Sequence, residues 1–311
     1  MKKWVVLGTI FFLIFGLVFF LLGSFVLQPT KQAQIVSPYS TPWLVALEEL
    51  ESEEDWGDGE VNCSGALIAP QWVLTAAHCV REAKQFNVRS AITALYQSRA
   101  SLRPEDLEES EAPGKPEEHQ ESLSDRIIVH PSARDVDWEK PEDTAQRKIA
   151  QPVTTRPVVD LALIRLRRPI SNARLLLGPP KGWQKKELSG FGLGPRSDQD
   201  IRLPGVYRIP IVLGACDSDT IKYFGGRKEN LGGSLCSDKD HPAPTCQGDS
   251  GGPLVLAEDG ENYSVGVISM GYGIKNNTCA DTSLFSQLVA TQSVFVPTGK
   301  YAGWIRKTAG L

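Results

Sequence analysis

The chain has 311 residues, 41% of them hydrophobic and 23% charged, with a formal net charge of −4. That length accommodates two domains with real cores, and the composition is that of a globular protein, which excludes global disorder. Residues 1–34 carry only Lys2, Lys3 and Lys31; beyond them 30 bases face 37 acids, a balance that excludes the basic face a nucleic-acid binder needs.

The N-terminus comes first in chain order. Lys2 and Lys3 precede Trp4–Leu27, twenty-four residues without a charge. A signal-peptide core runs ~7–15 residues, whereas a membrane-spanning helix needs ~20. No small-x-small cleavage site stands behind the stretch. It therefore reads as an uncleaved signal anchor in preference to a cleaved signal peptide, with its lysines on the cytoplasmic side. Either way the remainder is extracytoplasmic, membrane-anchored through residues 4–27 or secreted. In an exported chain the six cysteines read as three disulfides, among fifteen connectivities. No Cys-x-x-Cys pair exists and His241 alone stands among the last four cysteines, so no metal site is expected.

Gln28–Ser40 reads as a polar linker and Pro42–Leu47 as a short strand. The acidic run Glu48–Glu60, with Gly57 and Gly59, reads as a hairpin tip. Cys63–Val80 holds two apolar runs broken at Ala69-Pro70-Gln71, a second hairpin ending in Leu74-Thr75-Ala76-Ala77-His78-Cys79. Residues 100–125 contain nine acids, two bases and three prolines and read as a solvated loop. Arg126–Pro131 is strand-like, Ser132–Pro157 is a polar insertion, and Val158–Leu166 is the strongest strand signal of the first half. Arg167–Gly182 reads as a connection between domains. Glu187–Gly192, Gly205–Leu213 and Ser264–Met270 are further short β-rich runs, and strands at this spacing argue for an all-β sandwich or barrel. Tyr301, Trp304, Ile305 and Thr308 share one face at helical spacing, which predicts a terminal helix.

One stretch carries the chemistry. In Cys246-Gln247-Gly248-Asp249-Ser250-Gly251-Gly252-Pro253 a serine sits among glycines, which leave backbone N–H groups open to a developing negative charge. A serine hydroxyl needs a neighbouring base. Of the four histidines, His119 lies in the acidic loop, His130 precedes a proline and His241 lies in a Pro-flanked loop. His78 ends an apolar strand beside a cysteine, where its position would be fixed. Asp160 heads an apolar strand, which is costly unless something pairs with it, and an imidazole N–H is the obvious partner.

Thr75-Ala76-Ala77-His78-Cys79, Asp160-Leu161-Ala162-Leu163 and Gly248-Asp249-Ser250-Gly251-Gly252-Pro253 resemble the three signatures of the trypsin/chymotrypsin-like serine endopeptidases, in that family's order. The resemblance runs from about Pro42 to Lys307. It implies an all-β fold of two packed antiparallel Greek-key β-barrels with a C-terminal α-helix, behind the N-terminal anchor or signal helix. Residues 1–34 would form the anchor or signal and linker, 35–172 the first barrel, and 173–311 the second barrel and helix.

By the same resemblance Ser250 is the nucleophile, His78 the general base and Asp160 its orienting acid, with the N–H groups of Gly248 and Ser250 as oxyanion hole. It pairs Cys63 with Cys79, Cys216 with Cys236 and Cys246 with Cys279. The primary pocket would involve Pro244, Gly271 and Ser283. Pro244 stands where an aspartate selects Arg or Lys, so a neutral residue is expected before the cut bond. Family zymogens are cut before an Ile-Val-Gly-Gly-like start whose ammonium pairs with the aspartate preceding the nucleophile, here Asp249. Ile35-Val36 is the only similar pair, but Ser37-Pro38 follow it and it stands about five residues closer to Pro42-Trp43 than the family pattern expects. No cofactor is implied; the loop at 100–125 falls where some members bind calcium. Partners would be protein or peptide substrates and protein inhibitors. The alternative is a catalytically silent homologue acting as an extracytoplasmic binding or adhesion module. An α/β-hydrolase esterase is excluded by the order of the three residues and the missing strand–turn–helix context.

Overall fold

The computed structural model describes residues 33–50, 61–80, 85–91, 93–94, 120–133, 159–170, 173–195, 205–223, 228–241, 245–270 and 292–311. The anchor or signal segment, residues 134–157 of the insertion expected at 132–157, and the loop at 271–279 fall outside them. Among the described residues no helix is long and apolar enough to cross a membrane.

The first half closes into a six-stranded barrel. Its strands are β2 (Leu44–Leu50), β3 (Val61–Ala69), β4 (Trp72–Thr75), β5 (Gln85–Ser90), β6 (Glu121–Val129) and β7 (Ala162–Leu166). They run in the spatial order β2-β3-β4-β7-β6-β5, and β5 returns to pair with β2. The order β5-β2-β3-β4 is a Greek key, and closure removes the exposed edges. The β3–β4 hairpin turns at Pro70 and Gln71, where proline cannot continue a ladder.

β1 (Gln34–Val36) precedes the barrel but pairs with the other sheet, at its edge against β10 (Val206–Ile211). The remaining strands are β8 (Leu176–Leu177), β9 (Leu188–Gly192), β11 (Leu213–Gly214), β12 (Leu235–Ser237), β13 (Pro253–Glu258), β14 (Glu261–Met270) and β15 (Val294–Pro297). With β1 and β10 they form one nine-stranded sheet in which β1-β10-β9-β13-β14-β15-β12-β11 are consecutive and β8 joins β14. The described second half is thus a sheet without the closure seen in the first. Two short helices complete it, α1 (Ser218–Tyr223) and the terminal α2 (Thr298–Ala309).

Two sequence expectations shift. Glu48–Leu50, expected to open the acidic tip, belong to β2, and the rest of that run, 51–60, lies outside the described residues; Glu48 is fully buried because Arg89 Nη2 stands 2.6 Å and Asn87 Nδ2 2.8 Å from its carboxylate. Those partners offset the desolvation that would otherwise expel it. The loop expected to Asp125 ends earlier, since β6 starts at Glu121 and buries Ser122, Leu123 and Ser124. The expected terminal helix is α2, and its expected face turns inward: Ile305 is buried together with Thr298 and Ala302, Tyr301, Trp304 and Thr308 are partly covered, and Lys300, Arg306 and Lys307 are exposed. Tyr301 and Trp304 pack against the apolar cluster that holds Ile305 and also meet the His130 ring edge-on, at centroid distances of 5.3 and 4.9 Å. Gly310, in the left-handed region, ends the helix with its N–H on the Arg306 carbonyl.

Candidate active site

His78 follows β4, in a turn closed by the Val80 N–H on the Ala77 carbonyl. A disulfide between Cys63 of β3 and Cys79 ties that turn to the barrel wall. Asp160 stands just before β7, the strand paired with β4, so the ladder brings acid and imidazole together. The contact is double. The His78 N–H donates to Asp160 Oδ1 at 2.8 Å, and His78 Nδ1 donates to Oδ2 at 2.7 Å. Ser269 Oγ, from β14 of the second sheet, donates to the same Oδ2 at 2.6 Å. Asp160 is 3% exposed whereas the His78 side chain is 29% exposed; Asp160 holds the ring at Nδ1, and Nε2 stands 3.7 Å from Cys79 Sγ.

The electrostatics follow from these contacts. Burial pulls the His78 imidazole down, but the Asp160 charge and hydrogen bond outweigh it and leave its pKa above 6.5. Burial pushes Asp160 up, yet the His78 charge and the hydrogen bonds from His78 and Ser269 hold it below 3.8. Both groups are thereby biased toward their charged forms.

The Ser250 loop comes from the second half and is seated on the first. The Ser64 N–H donates to the Ser250 carbonyl at 2.8 Å, and the Gly251 N–H donates to Ile268 at 2.8 Å. Gly251 has a φ of +80°, and a Cβ there would stand 2.1 Å from Thr75 Oγ1 and 2.3 Å from the Ser64 carbonyl. The segment following Ser250 thus lies against β3 and the end of β4, three residues before His78. Gly248 also has a positive φ, +93°, inside a turn closed by the Asp249 N–H on the Cys246 carbonyl at 3.0 Å.

Asp249 is fully buried. Its Oδ1 accepts the Gly194 N–H at 3.0 Å and its Oδ2 the Cys246 N–H at 2.6 Å. Gly192 permits this approach, because a Cβ there would be 2.2 Å from Oδ1. Ile35 lies on edge strand β1 opposite Tyr207 and is 69% exposed.

A second disulfide joins Cys216 to Cys236, and Cys246 is disulfide-bonded as well. Cys279, the pocket residues Pro244, Gly271 and Ser283, and residues 100–119 of the acidic loop lie outside the described residues. Ligand atoms of Cys63, His78 and Cys79 lie within 4.8 Å of one another, but the two sulfurs are bonded together and offer no thiolate to a metal. Sequence reasoning missed Ser269, Gly194 and Ser64. Each is a small residue in or beside an apolar strand, and only the tertiary pairing gives it a role.

The comparisons with known proteins agree with this architecture. The family model Trypsin matches residues 32–290. The chain is similar to kallikrein-15 of Saguinus oedipus, 26% identical over 92% of this chain and 96% of the relative. It is also similar to chymotrypsin-C of Bos taurus, 27% identical over 86% and 90% respectively. Chymotrypsin-like elastase family member 1 of Macaca fascicularis is 29% identical over 79% of this chain and 78% of its own. The chain belongs to the trypsin family of serine proteases.

Proposed function

We propose that the protein is a serine endopeptidase working through Ser250, His78 and Asp160. The observation that carries this reading is the doubly bonded His78–Asp160 pair, held on the same strands, β3 and the end of β4, on which the segment following Ser250 is seated. His78 Nε2 takes the Ser250 proton as Oγ attacks the scissile carbonyl carbon. The oxyanion that forms is received by the N–H groups of Gly248 and Ser250, and one such donor is worth ~2.7–4 kcal/mol in comparable sites. Collapse breaks the C–N bond, and the His78 cation gives its proton to the leaving amine. Water then repeats the sequence on the acyl-enzyme and restores Ser250. Asp160 holds the ring with Nδ1 protonated and stabilises the cation throughout.

Substrates are proteins or peptides with a neutral residue before the cut bond; what supports this is the family resemblance, by which Pro244 stands where an aspartate would pair with a guanidinium. The disulfides fit an oxidising, extracytoplasmic compartment, reached through residues 4–27 as anchor or cleaved signal. Ile35 is the candidate new N-terminus whose ammonium would join Asp249.

The test is labelling with a fluorophosphonate probe. The wild type reacts and Ser250→Ala, with unchanged circular dichroism, does not; equal labelling of the two would sink the assignment of Ser250, and a wild type that does not react would favour a binding module. Peptide-library profiling of the same preparation, with its N-terminus sequenced, returns apolar or small residues before the cut bond. A profile dominated by Arg or Lys would overturn the pocket reading, and an active form still starting at Met1 would exclude cleavage at Ile35.

A further inference from the structure

Ser64 stands in β3 of the first barrel, next to Cys63, and is fully buried. Its hydroxyl donates to the Gly248 carbonyl at 2.7 Å and accepts the Leu193 N–H at 3.2 Å. Its own N–H donates to the Ser250 carbonyl at 2.8 Å, and its carbonyl accepts the Thr75 hydroxyl at 2.9 Å. One first-barrel residue therefore holds Leu193, Gly248 and Ser250 of the second half, and Thr75 on the strand leading to His78.

The hydroxyl acts on one peptide group. The peptide joining Gly248 to Asp249 is gripped at both ends: its N–H donates to Cys246, and its carbonyl accepts from Ser64. Cys246–Asp249 is a four-residue turn with Gly248 in its third position at φ +93°. A positive φ there marks a type II turn. Rotating the central Gln247–Gly248 peptide gives type I, with a negative φ, and turns the Gly248 N–H to the opposite side. Glycine adopts either sign about equally readily, so the loop's own sequence does not choose between the two. A fixed neighbouring peptide plane does.

We infer that Ser64 is a positioning residue whose hydroxyl holds the Gly248–Asp249 peptide, and through it the φ of Gly248 and the aim of the Gly248 N–H at the developing oxyanion. The inference rests on the reading of Ser250 as nucleophile and Gly248 as oxyanion donor. A hydroxyl suits the position because it donates to one backbone group and accepts from another at once. A methyl in its place leaves a buried carbonyl and a buried N–H unpaired.

The experiment compares full-length wild type, Ser64→Ala, Ser64→Gly and Ser64→Thr, with active sites counted by fluorophosphonate titration. Ser64→Ala lowers kcat by about 10- to 100-fold per titrated site while KM changes by less than about twofold, the mark of an interaction made in the transition state. Ser64→Gly, which also lacks the hydroxyl, gives the same split, and Ser64→Thr, which keeps it, restores kcat. Binding of a peptidyl trifluoromethyl ketone, which forms an oxyanion on attack, weakens by the same factor as kcat. The matching peptidyl alcohol, which cannot form one, binds unchanged. A merely structural role would reduce the titratable fraction without separating the two inhibitors. Wild-type kcat in both hydroxyl-free variants, or equal losses for the two inhibitors, overturns the positioning role while leaving the protease reading intact. A wild type that fails to react with the probe overturns that reading and this inference with it.

Discussion

Both oxygens of the Asp160 carboxylate are engaged, one by the His78 N–H and the other by the His78 ring and the Ser269 hydroxyl. The sign of the pH dependence follows. In the proposed mechanism His78 accepts a proton only when neutral, and its pKa is raised above 6.5 by Asp160, so kcat/KM is expected to rise as pH rises through that raised value. In Asp160→Asn the burial that lowers the imidazole persists while the raising charge is gone, so the acid limb moves to lower pH. In the same variant kcat drops by about 10⁴-fold, a magnitude carried over from the family template, because the asparagine favours the wrong tautomer. A pH–rate series on the two proteins checks both; an acid limb that stays in place would refute the assignment of that limb to His78. Stability obeys the same linkage. The raised His78 contributes stability fully present below 6.5 and lost as pH rises through its folded pKa. The depressed Asp160 contributes stability present above 3.8 and lost as pH falls through its folded pKa. His78 and Asp160 were legible in the sequence because a histidine beside a cysteine and an acid heading an apolar strand are each hard to place without a partner. Ser269 was not, since one serine inside the apolar run of β14 carries no such signal.

At the scale of elements, the site depends on a seam where the Ser250 loop meets β3 and β4. Gly251 is its tightest point: its φ of +80° strains any side chain, and a Cβ would meet Thr75 Oγ1 at 2.1 Å. Thr75 cannot easily move, as its hydroxyl is bonded to the Ser64 carbonyl. Gly251→Ala therefore combines a left-handed backbone penalty with overpacking of about 1–3 kcal/mol, and the denaturation midpoint in urea falls accordingly. A variant with an unchanged midpoint would mean the seam is looser than its geometry states. The strands with uniform apolar character, β4 and β7, were readable from pattern alone. β5 and the start of β6 were not, because their polar residues point at one another. Glu48, Asn87, Arg89 and Glu121 form a hydrogen-bonded and ion-paired group whose members each look solvent-facing in sequence. Burial of such residues is decided by partners that lie on other strands.

The two halves are joined by a common apolar cluster as well as by the seam. Ile68, Leu74, Leu161 and Leu163 of the first half pack with Val267, Val296 and Ile305 of the second. Helix α2 supplies Ile305, and its Arg306 Nη2 also donates to the Leu177 carbonyl of β8 at 3.0 Å. The helical spacing of the last residues was visible in sequence; the surface it covers was not, since that surface combines β14 and β15 with strands of the first half more than a hundred residues away. The arrangement has a thermodynamic consequence. If each half owned its core, a cavity in α2 would destabilise only the second half and split unfolding into two steps. With the cluster shared, Ile305→Ala removes contacts from both halves and lowers the stability of the whole by about 2–5 kcal/mol, the usual range for a buried isoleucine truncated to alanine. Urea unfolding followed by tryptophan fluorescence and by far-ultraviolet circular dichroism gives coincident transitions in the wild type and the variant, with the same slope and a lower midpoint. Transitions that separate, with one of the two unmoved by the variant, would show that the halves are independent and that the His78–Asp160–Ser269 contact is held by the seam alone.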